Sequence, residues 1–225
     1  ENRLDFYAAK QLIKKYRMRF IVLHEQMKKE TNVFFDTEDS VVLNNGIDFQ
    51  RFDTALPRDV VRKREGIPED AFVIGHVGRF TENKNHDFLV DVFYEIYKHN
   101  QNAFLLLVGN GDTLQDIKEK LIDLNLEKSS KILSYRTDIP DLMNCMDRFV
   151  LPSEYEGLGI VLIEAQKLGI PCICSTGIPD AARISNLLKK LDLSLDKSIW
   201  ATEIVEFTVK DIQYSGLEEW NIKNV

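Results

Sequence analysis

Glu156 and Glu164, with seven residues between them, bracket a turn containing Gly157 and Gly159 in the stretch Pro152-Ser-Glu-Tyr-Glu-Gly-Leu-Gly-Ile-Val-Leu-Ile-Glu164. The apolar run Phe149 to Leu151 precedes this turn and a helical pattern follows it. A helix start offers unpaired N–H groups and the positive end of the helix dipole, both of which attract phosphate. Carboxylates repel phosphate but accept hydrogen bonds from hydroxyls. The combination fits a ligand that carries phosphate and sugar hydroxyls together, and a nucleotide-sugar is such a ligand.

Glu164 lies five or six residues into its helix, roughly 8–9 Å from the phosphate-binding end at about 1.5 Å per residue. That matches the reach from a distal phosphate to a ribose. Glu164 is thus expected to hold ribose hydroxyls, the Gly157-Leu158-Gly159 backbone to hold phosphate, and Glu156 to face the sugar. Gly78 and Arg79 end an earlier strand, and Lys84 follows on the same loop. Arg offers a bidentate fork and Lys a point charge, so the two can neutralise charge on a departing diphosphate. Gly109-Asn110-Gly111-Asp112 ends the next strand, where small residues allow close backbone approach or simply shape a tight turn. Ser134-Tyr135-Arg136 ends another, and a flat base could lie against Tyr135 and Arg136. Each segment alone also reads as an ordinary turn of surface charges. His76 sits among apolar strand neighbours and reads as a core histidine, while His86, near a helix start, is expected to be exposed; neither is assigned a role.

These residues can act together only if the fold gathers them. From Ala71 onward short apolar runs alternate with amphipathic ones. Strands are expected at Phe72 to Val77, Phe104 to Val108, Ile132 to Ser134, Phe149 to Leu151 and Pro171 to Cys174. Helices are expected at Asn85 to Lys98, Thr113 to Leu124, Ile139 to Met146, Gly159 to Leu168 and Ala181 to Leu191. Unbroken apolar strands separated by helices of this length predict a Rossmann-like doubly wound parallel sheet, an α/β fold. Ligands of such sheets bind beyond the carboxyl ends of the strands, where every candidate residue falls.

The opening residues stand outside that alternation: a helix from Leu4 to Tyr16, a short strand Phe20 to Leu23 and a helical turn from His24 to Lys29. A helix–strand–helix of this size cannot bury its own apolar face. Residues 1–40 therefore read as the tail of a preceding domain, 41–195 as the donor-binding domain, and 196–225 as a C-terminal helix and tail.

Of the 225 residues, 44% are apolar and 29% charged, which is a globular composition. The formal charge of −7 argues against nucleic-acid binding. Lys14, Lys15, Arg17 and Arg19 could meet an acidic membrane surface at the inner face, though a solvated helix face uses the same letters. No run reaches the roughly 20 apolar residues of a membrane span, and no signal pattern opens the chain. Three cysteines without metal-ligand spacing, two of them on one buried-looking strand, suit packing in a reducing compartment. A cytoplasmic location is the expectation, with peripheral membrane association as its extension.

Asn45-Gly-Ile-Asp48, Gly78-Arg79 with Lys84, Gly109-Asn-Gly111, and Pro152-Ser through Glu156-Gly-Leu-Gly to Glu164-Ala resemble the C-terminal domain of family-4 retaining glycosyltransferases. The resemblance covers about residues 17 to 210, and its two-glutamate element with glycines is specific. It implies half of a two-domain GT-B fold, a nucleotide-diphosphate-sugar donor, no metal cofactor, and transfer with retention at the anomeric carbon. By resemblance Arg79 and Lys84 contact the diphosphate, Glu156 and the Gly157–Gly159 backbone meet the sugar, and Glu164 takes the ribose.

Two departures stand out. Asp180, in Ser175-Thr-Gly-Ile-Pro-Asp180, occupies a position where many members carry Glu. The family's acceptor-binding domain, with its catalytically important histidine, has no counterpart before residue 17. The expectation is a donor-binding half that binds nucleotide but transfers poorly alone, its glycan or lipid-linked acceptor held by the missing domain. A hexose or N-acetylhexosamine transferred in surface polysaccharide assembly follows by analogy. Two other readings share the architecture: a nucleotide-sugar epimerase, which needs further acid–base groups, and a nucleotide-binding module without chemistry, which would not need Arg79, Lys84, Glu156 and Glu164 together.

Overall fold

The computed structural model describes residues 3–215 and Trp220, the side chains of residues 3–6 excepted. They belong to two compact units, one reaching Ile47 and including Trp220, the other beginning at Asp48.

In the first unit, α1 (Arg3–Tyr16), β1 (Ile21–Val22), α2 (Glu25–Phe35) and β2 (Val41–Val42) follow in order. β1 and β2 form a two-stranded parallel pair. The expected helical turn at His24 to Lys29 is the start of a longer helix, α2, whose first turn is capped by His24 Nδ1 accepting from the Met27 amide at 3.2 Å. Ile21 and Val33 remain 70% and 81% exposed, in keeping with a unit too small to cover its own apolar face.

The second unit carries α3 (Gln50–Asp53), α4 (Arg58–Glu65), β3 (Phe72–Val77), a 3-10 turn (Glu82–Lys84), α5 (His86–His99), β4 (Ala103–Val108), α6 (Leu114–Asp123), β5 (Ser130–Leu133), α7 (Ile139–Asn144), β6 (Arg148–Leu151), α8 (Ile160–Lys167), β7 (Cys172–Ser175), β8 (Leu188–Leu191) and α9 (Lys197–Glu206). Six strands form one parallel sheet in the order β5-β4-β3-β6-β7-β8. The chain winds outward in one direction through β3, β4 and β5, then crosses back to β6 and winds the other way. This is a doubly wound sheet, and its topological switch point lies between β3 and β6. All six residues of β4 are buried, as are Val150 and Ile173 of the neighbouring strands. The continuous apolar runs have the physical cause assigned to them: helices cover both faces.

One expected element is wrong. Ala181 to Leu191 is not a helix; a 3-10 turn at Asp180–Ala182 leads to the edge strand β8, whose Leu188 pairs with Cys172 and Leu191 with Ser175. Leu188 and Leu191 are spaced as on a helix and both are buried, but pairing with β7 outweighs the local pattern. Lys189 and Lys190 reach away from the strand to Glu203 and Asp180, which gives the sheet a charged edge.

Helices α3 and α4 precede the alternation that begins at Ala71. Arg62 of α4 is 4% exposed and donates to the carbonyls of Ala71 at 2.9 Å and Cys145 at 3.0 Å and to Asp147 Oδ2 at 2.7 Å. It thereby satisfies loop carbonyls at the amino ends of β3 and β6. The three cysteines are free and buried, Cys172 and Cys174 within β7. Among the described residues no helix is long and apolar enough to cross a membrane.

Candidate functional site

The carboxyl ends of β3 and β6 lead into two loops that are fastened to each other. Asn83 accepts from the Glu154 amide through its carbonyl at 2.9 Å, while its side chain donates to the Tyr155 carbonyl at 2.9 Å and accepts from the Tyr155 amide at 3.2 Å. These bonds bring Lys84 and Glu156 into an ion pair at the switch point. Ser153 Oγ donates to the same carboxylate oxygen, Glu156 Oε1, at 2.8 Å. Ser153 is fully buried, and its carbonyl accepts from Ser175 Oγ at the end of β7.

The β3 and β4 loops are equally close. The Gly78 amide donates to Val108 O at 2.9 Å and the Phe80 amide to Asn110 O at 3.0 Å. A Cβ on Gly109 would lie 1.9 Å from Gly78 O, and one on Gly111 would lie 2.2 Å from Phe80 O. Of the two readings open for these glycines, close approach or turn shape, the approach is real and is made by the chain's own backbone. Arg79, between these contacts, is exposed and has no side-chain hydrogen bond or ion pair among the described residues.

Tyr135 and Arg136 part ways at the end of β5. Tyr135 adopts φ 56°, is 86% exposed, and its hydroxyl accepts from Asn110 Nδ2 at 2.5 Å. The left-handed backbone turns the ring out at the strand ends, a conformation a bulky residue adopts only when its surroundings impose it. Arg136 instead donates to Glu65 Oε1 at 2.8 Å and to Asp138 Oδ2 at 2.6 Å. Hydrogen bonds to both carboxylates hold its guanidinium well above the usual arginine range.

Gly159 stands just before helix α8 with a φ of 82°, the left-handed region open to glycine, and no side chain caps the helix start. Gly157 is exposed and Leu158 buried. Glu164 lies on the fifth residue of α8, half-buried, and its carboxylate accepts no hydrogen bond among the described residues. Burial pushes its carboxyl up to about 7, opposed in part by the charge of Arg51 on α3. Asp180, which carried no expected contact, pairs with Lys190 at 2.5 Å.

His76 is a core histidine as expected, with Nδ1 2.8 Å from Val150 O. A carbonyl only accepts, so Nδ1 carries the proton. His86 is not exposed: it is 2% accessible, stacked on Phe80 at 4.0 Å and edge-on to His76 at 4.4 Å. The helix start at His86 tucks under the β3 loop, which sequence position alone does not convey. Burial lowers His76 to about 4 and His86 to about 2, so both are neutral.

Thus Gly78, Arg79, Lys84, Gly111, Tyr135, Glu156 and the Gly157–Gly159 turn all lie on loops at the carboxyl ends of the strands, with Glu164 following on α8. Lys84 meets Glu156 directly, and Arg136 is drawn toward Glu65. Asn83, Ser153 and Arg51 carry no expectation from sequence. A serine three residues before a glutamate in a turn is within hydrogen-bond reach, which is the signal that could have singled out Ser153. Among the described residues no group of three or more His, Cys, Asp or Glu could hold a metal.

Comparison with known proteins gives concordant matches. The family model described as "Glycosyl transferases group 1" matches residues 57–189. A protein named putative glycosyltransferase EpsF, from Bacillus subtilis (strain 168), is 38% identical over 165 residues, which is 72% of this chain and 43% of that protein. The Escherichia coli UDP-Gal:alpha-D-GlcNAc-diphosphoundecaprenol alpha-1,3-galactosyltransferase is 33% identical over 178 residues, 76% of this chain and 45% of that enzyme. The chain spans less than half the length of these two relatives. Anabaena HepE, solved in complex with UDP and glucose, aligns with a TM-score of 0.75 at 22% identity, over 91% of this chain and 57% of that one. That likeness gives this chain the fold of part of a GT-B glycosyltransferase.

Proposed function

The chain belongs to the group 1 glycosyl transferases, and on that premise we propose that it is the donor-binding half of a retaining enzyme that uses a nucleotide-diphosphate-sugar. The observation that carries this reading is the meeting of Lys84 and Glu156, 72 residues apart in sequence, at the switch point of the sheet. A cation for the diphosphate and a carboxylate for the sugar stand where doubly wound sheets take their ligands.

Arg79 and Lys84 offset the charge that develops on the departing diphosphate, and the uncapped start of α8 adds oriented amides. Glu156 receives sugar hydroxyls, Glu164 the ribose, and Tyr135, beside Arg136, the base. No metal is needed in this scheme because the protein supplies the positive charge. The E. coli relative is named for a UDP-sugar donor and a diphosphoundecaprenol-linked acceptor. That name supports a hexosyl UDP-sugar and a lipid-linked glycan acceptor for the whole protein, in surface polysaccharide or glycoconjugate assembly. The acceptor would be held by an amino-terminal half, at the cytoplasmic face of the membrane.

Titration calorimetry with UDP and GDP, without magnesium and with chelator present, tests the reading. One of them should bind the parent, and Arg79→Ala or Glu164→Ala should weaken it by about a factor of ten, the worth of a charge-assisted hydrogen bond. Binding by neither nucleotide, or undiminished binding by both variants, would sink the assignment.

A further inference from the structure

Two donors converge on one oxygen at the switch point. Lys84 Nζ and Ser153 Oγ both donate to Glu156 Oε1. The group is shielded, with the side chains of Lys84 and Glu156 19% and 14% exposed and Ser153 fully buried. Ser175, also fully buried, donates to the carbonyl of Ser153 and fixes it from behind. The lysine that would meet a diphosphate is therefore already bound to the carboxylate that would meet the sugar.

We propose that the Lys84–Glu156 ion pair is the resting state of the donor site, that the diphosphate takes Lys84 from Glu156, and that Ser153 is a positioning residue holding the freed carboxylate for the sugar. The proposal rests on the donor-site reading above. A shielded carboxylate that loses its cation is costly unless other donors replace it. Ser153 supplies one hydrogen bond, and the hydroxyls of a bound sugar supply the rest. A bare nucleoside diphosphate brings no such hydroxyls, so it must break the pair without repaying Glu156. The pair thus selects the loaded donor over the spent one. After transfer the sugar hydroxyls are gone, Lys84 returns to Glu156, and the hold on the product nucleotide weakens.

The test is calorimetry on the full chain with UDP against UDP-glucose and GDP against GDP-mannose. Glu156→Gln should bind the bare nucleoside diphosphate about threefold to tenfold tighter, because Lys84 is released from a charged partner. Glu154→Gln removes a charge from the same loop, but outside the pair, and should leave affinity unchanged. Ser153→Ala should leave the bare nucleotide within about twofold and weaken the sugar nucleotide by about threefold or more, the worth of one hydrogen bond. That effect should largely vanish in the Glu156→Gln background, which a merely structural role for Ser153 would not produce. If Glu156→Gln binds the bare nucleotide no tighter than Glu154→Gln does, the resting pair is overturned, and this comparison stands even if Ser153→Ala fails to fold. If the parent binds neither pair of probes, the donor-site reading itself fails.

Discussion

Asn83 and Tyr155 exchange hydrogen bonds in both directions, the side-chain amide donating to Tyr155 O at 2.9 Å and accepting from Tyr155 N at 3.2 Å. The side chain thus imitates a strand neighbour, continuing between loops what β3 and β6 begin with the pairs Ile74–Arg148 and Gly75–Phe149. The register of Lys84 against Glu156 is a consequence of this contact.

Asn83→Ala removes both side-chain bonds and leaves the backbone bond to Glu154. Each lost bond is worth about 1 kcal/mol, so melting should fall by a few degrees, at about 2–4 °C per kcal/mol for a chain of this size. Sugar-nucleotide affinity, which needs both loops in register, should fall with it. A melting curve and a titration on the same variant check the pairing of the two effects. Loss of stability with unchanged affinity would mean that the loops do not need this tie to form the site.

With the ribose contact proposed for it, Glu164 should make donor binding depend on pH. Burial pushes its carboxyl up to about 7, and the ionised form, with both oxygens charged acceptors, is the one that binds a pair of ribose hydroxyls most strongly. Binding below pH 7 must therefore expel a proton, so affinity should rise from pH 5.5 and level off above pH 8. A sugar nucleotide is the right probe because its diphosphate has no proton to lose in this range. Glu164→Gln should flatten the profile, and a profile equally steep in both proteins would remove Glu164 from the ribose.

Tyr135 and Arg136 should separate in mutagenesis. Tyr135→Ala should lower nucleotide affinity by about fivefold or more, since base–aromatic stacking is worth about 1–3 kcal/mol. Melting should hardly change, because the ring is exposed. Arg136→Ala removes a partner from Glu65, a carboxylate only 6% exposed, and should cost about 1–3 kcal/mol with Arg64 and Lys131 still nearby. The Glu65 carboxyl is held low, chiefly by its hydrogen bond from Arg136. Its stabilisation is therefore present above the ordinary carboxylate range and lost on acidification below about pH 4.5. The variant should lose that share of the acid transition.

The legible part of this molecule is the part governed by local pattern. Phe104-Leu-Leu-Leu-Val108 has no polar residue to face water, so it reads as a strand covered on both sides, and β4 is buried throughout. The place of the two-glutamate turn is legible because an apolar run before it and a helical pattern after it put it at a strand end, between β6 and α8. What stays hidden depends on partners far along the chain. Leu188 to Leu191 becomes a strand through β7, Arg136 is claimed by Glu65 from 71 residues away, and His86 is covered by the β3 loop. The Lys84–Glu156 contact is of the same kind: sequence puts both residues at strand ends, but strand order decides that those ends are adjacent.

The buried histidines and Glu164 oppose each other in the stability of the chain. His76 and His86 are neutral in the folded protein, with values lowered by burial to about 4 and about 2. The unfolded chain protonates them near pH 6.5, so it binds up to two more protons there, and stability must fall as pH drops below about 6.5. Glu164 acts in the other direction. Its raised value means that the folded chain holds a proton between about pH 4.5 and 7 that the unfolded chain has lost, so its contribution falls as pH rises. Two protons against one leave a net loss of stability on acidification from pH 6.5 to 4.5, of about one proton in slope. Glu164→Gln removes the opposing contribution, so its acid limb should be steeper and its stability above pH 7 higher by about 1–3 kcal/mol. His86→Phe should make the limb shallower. Denaturant unfolding at a series of pH values measures both slopes, and a limb unchanged in His86→Phe would mean that this ring is protonated in the folded protein.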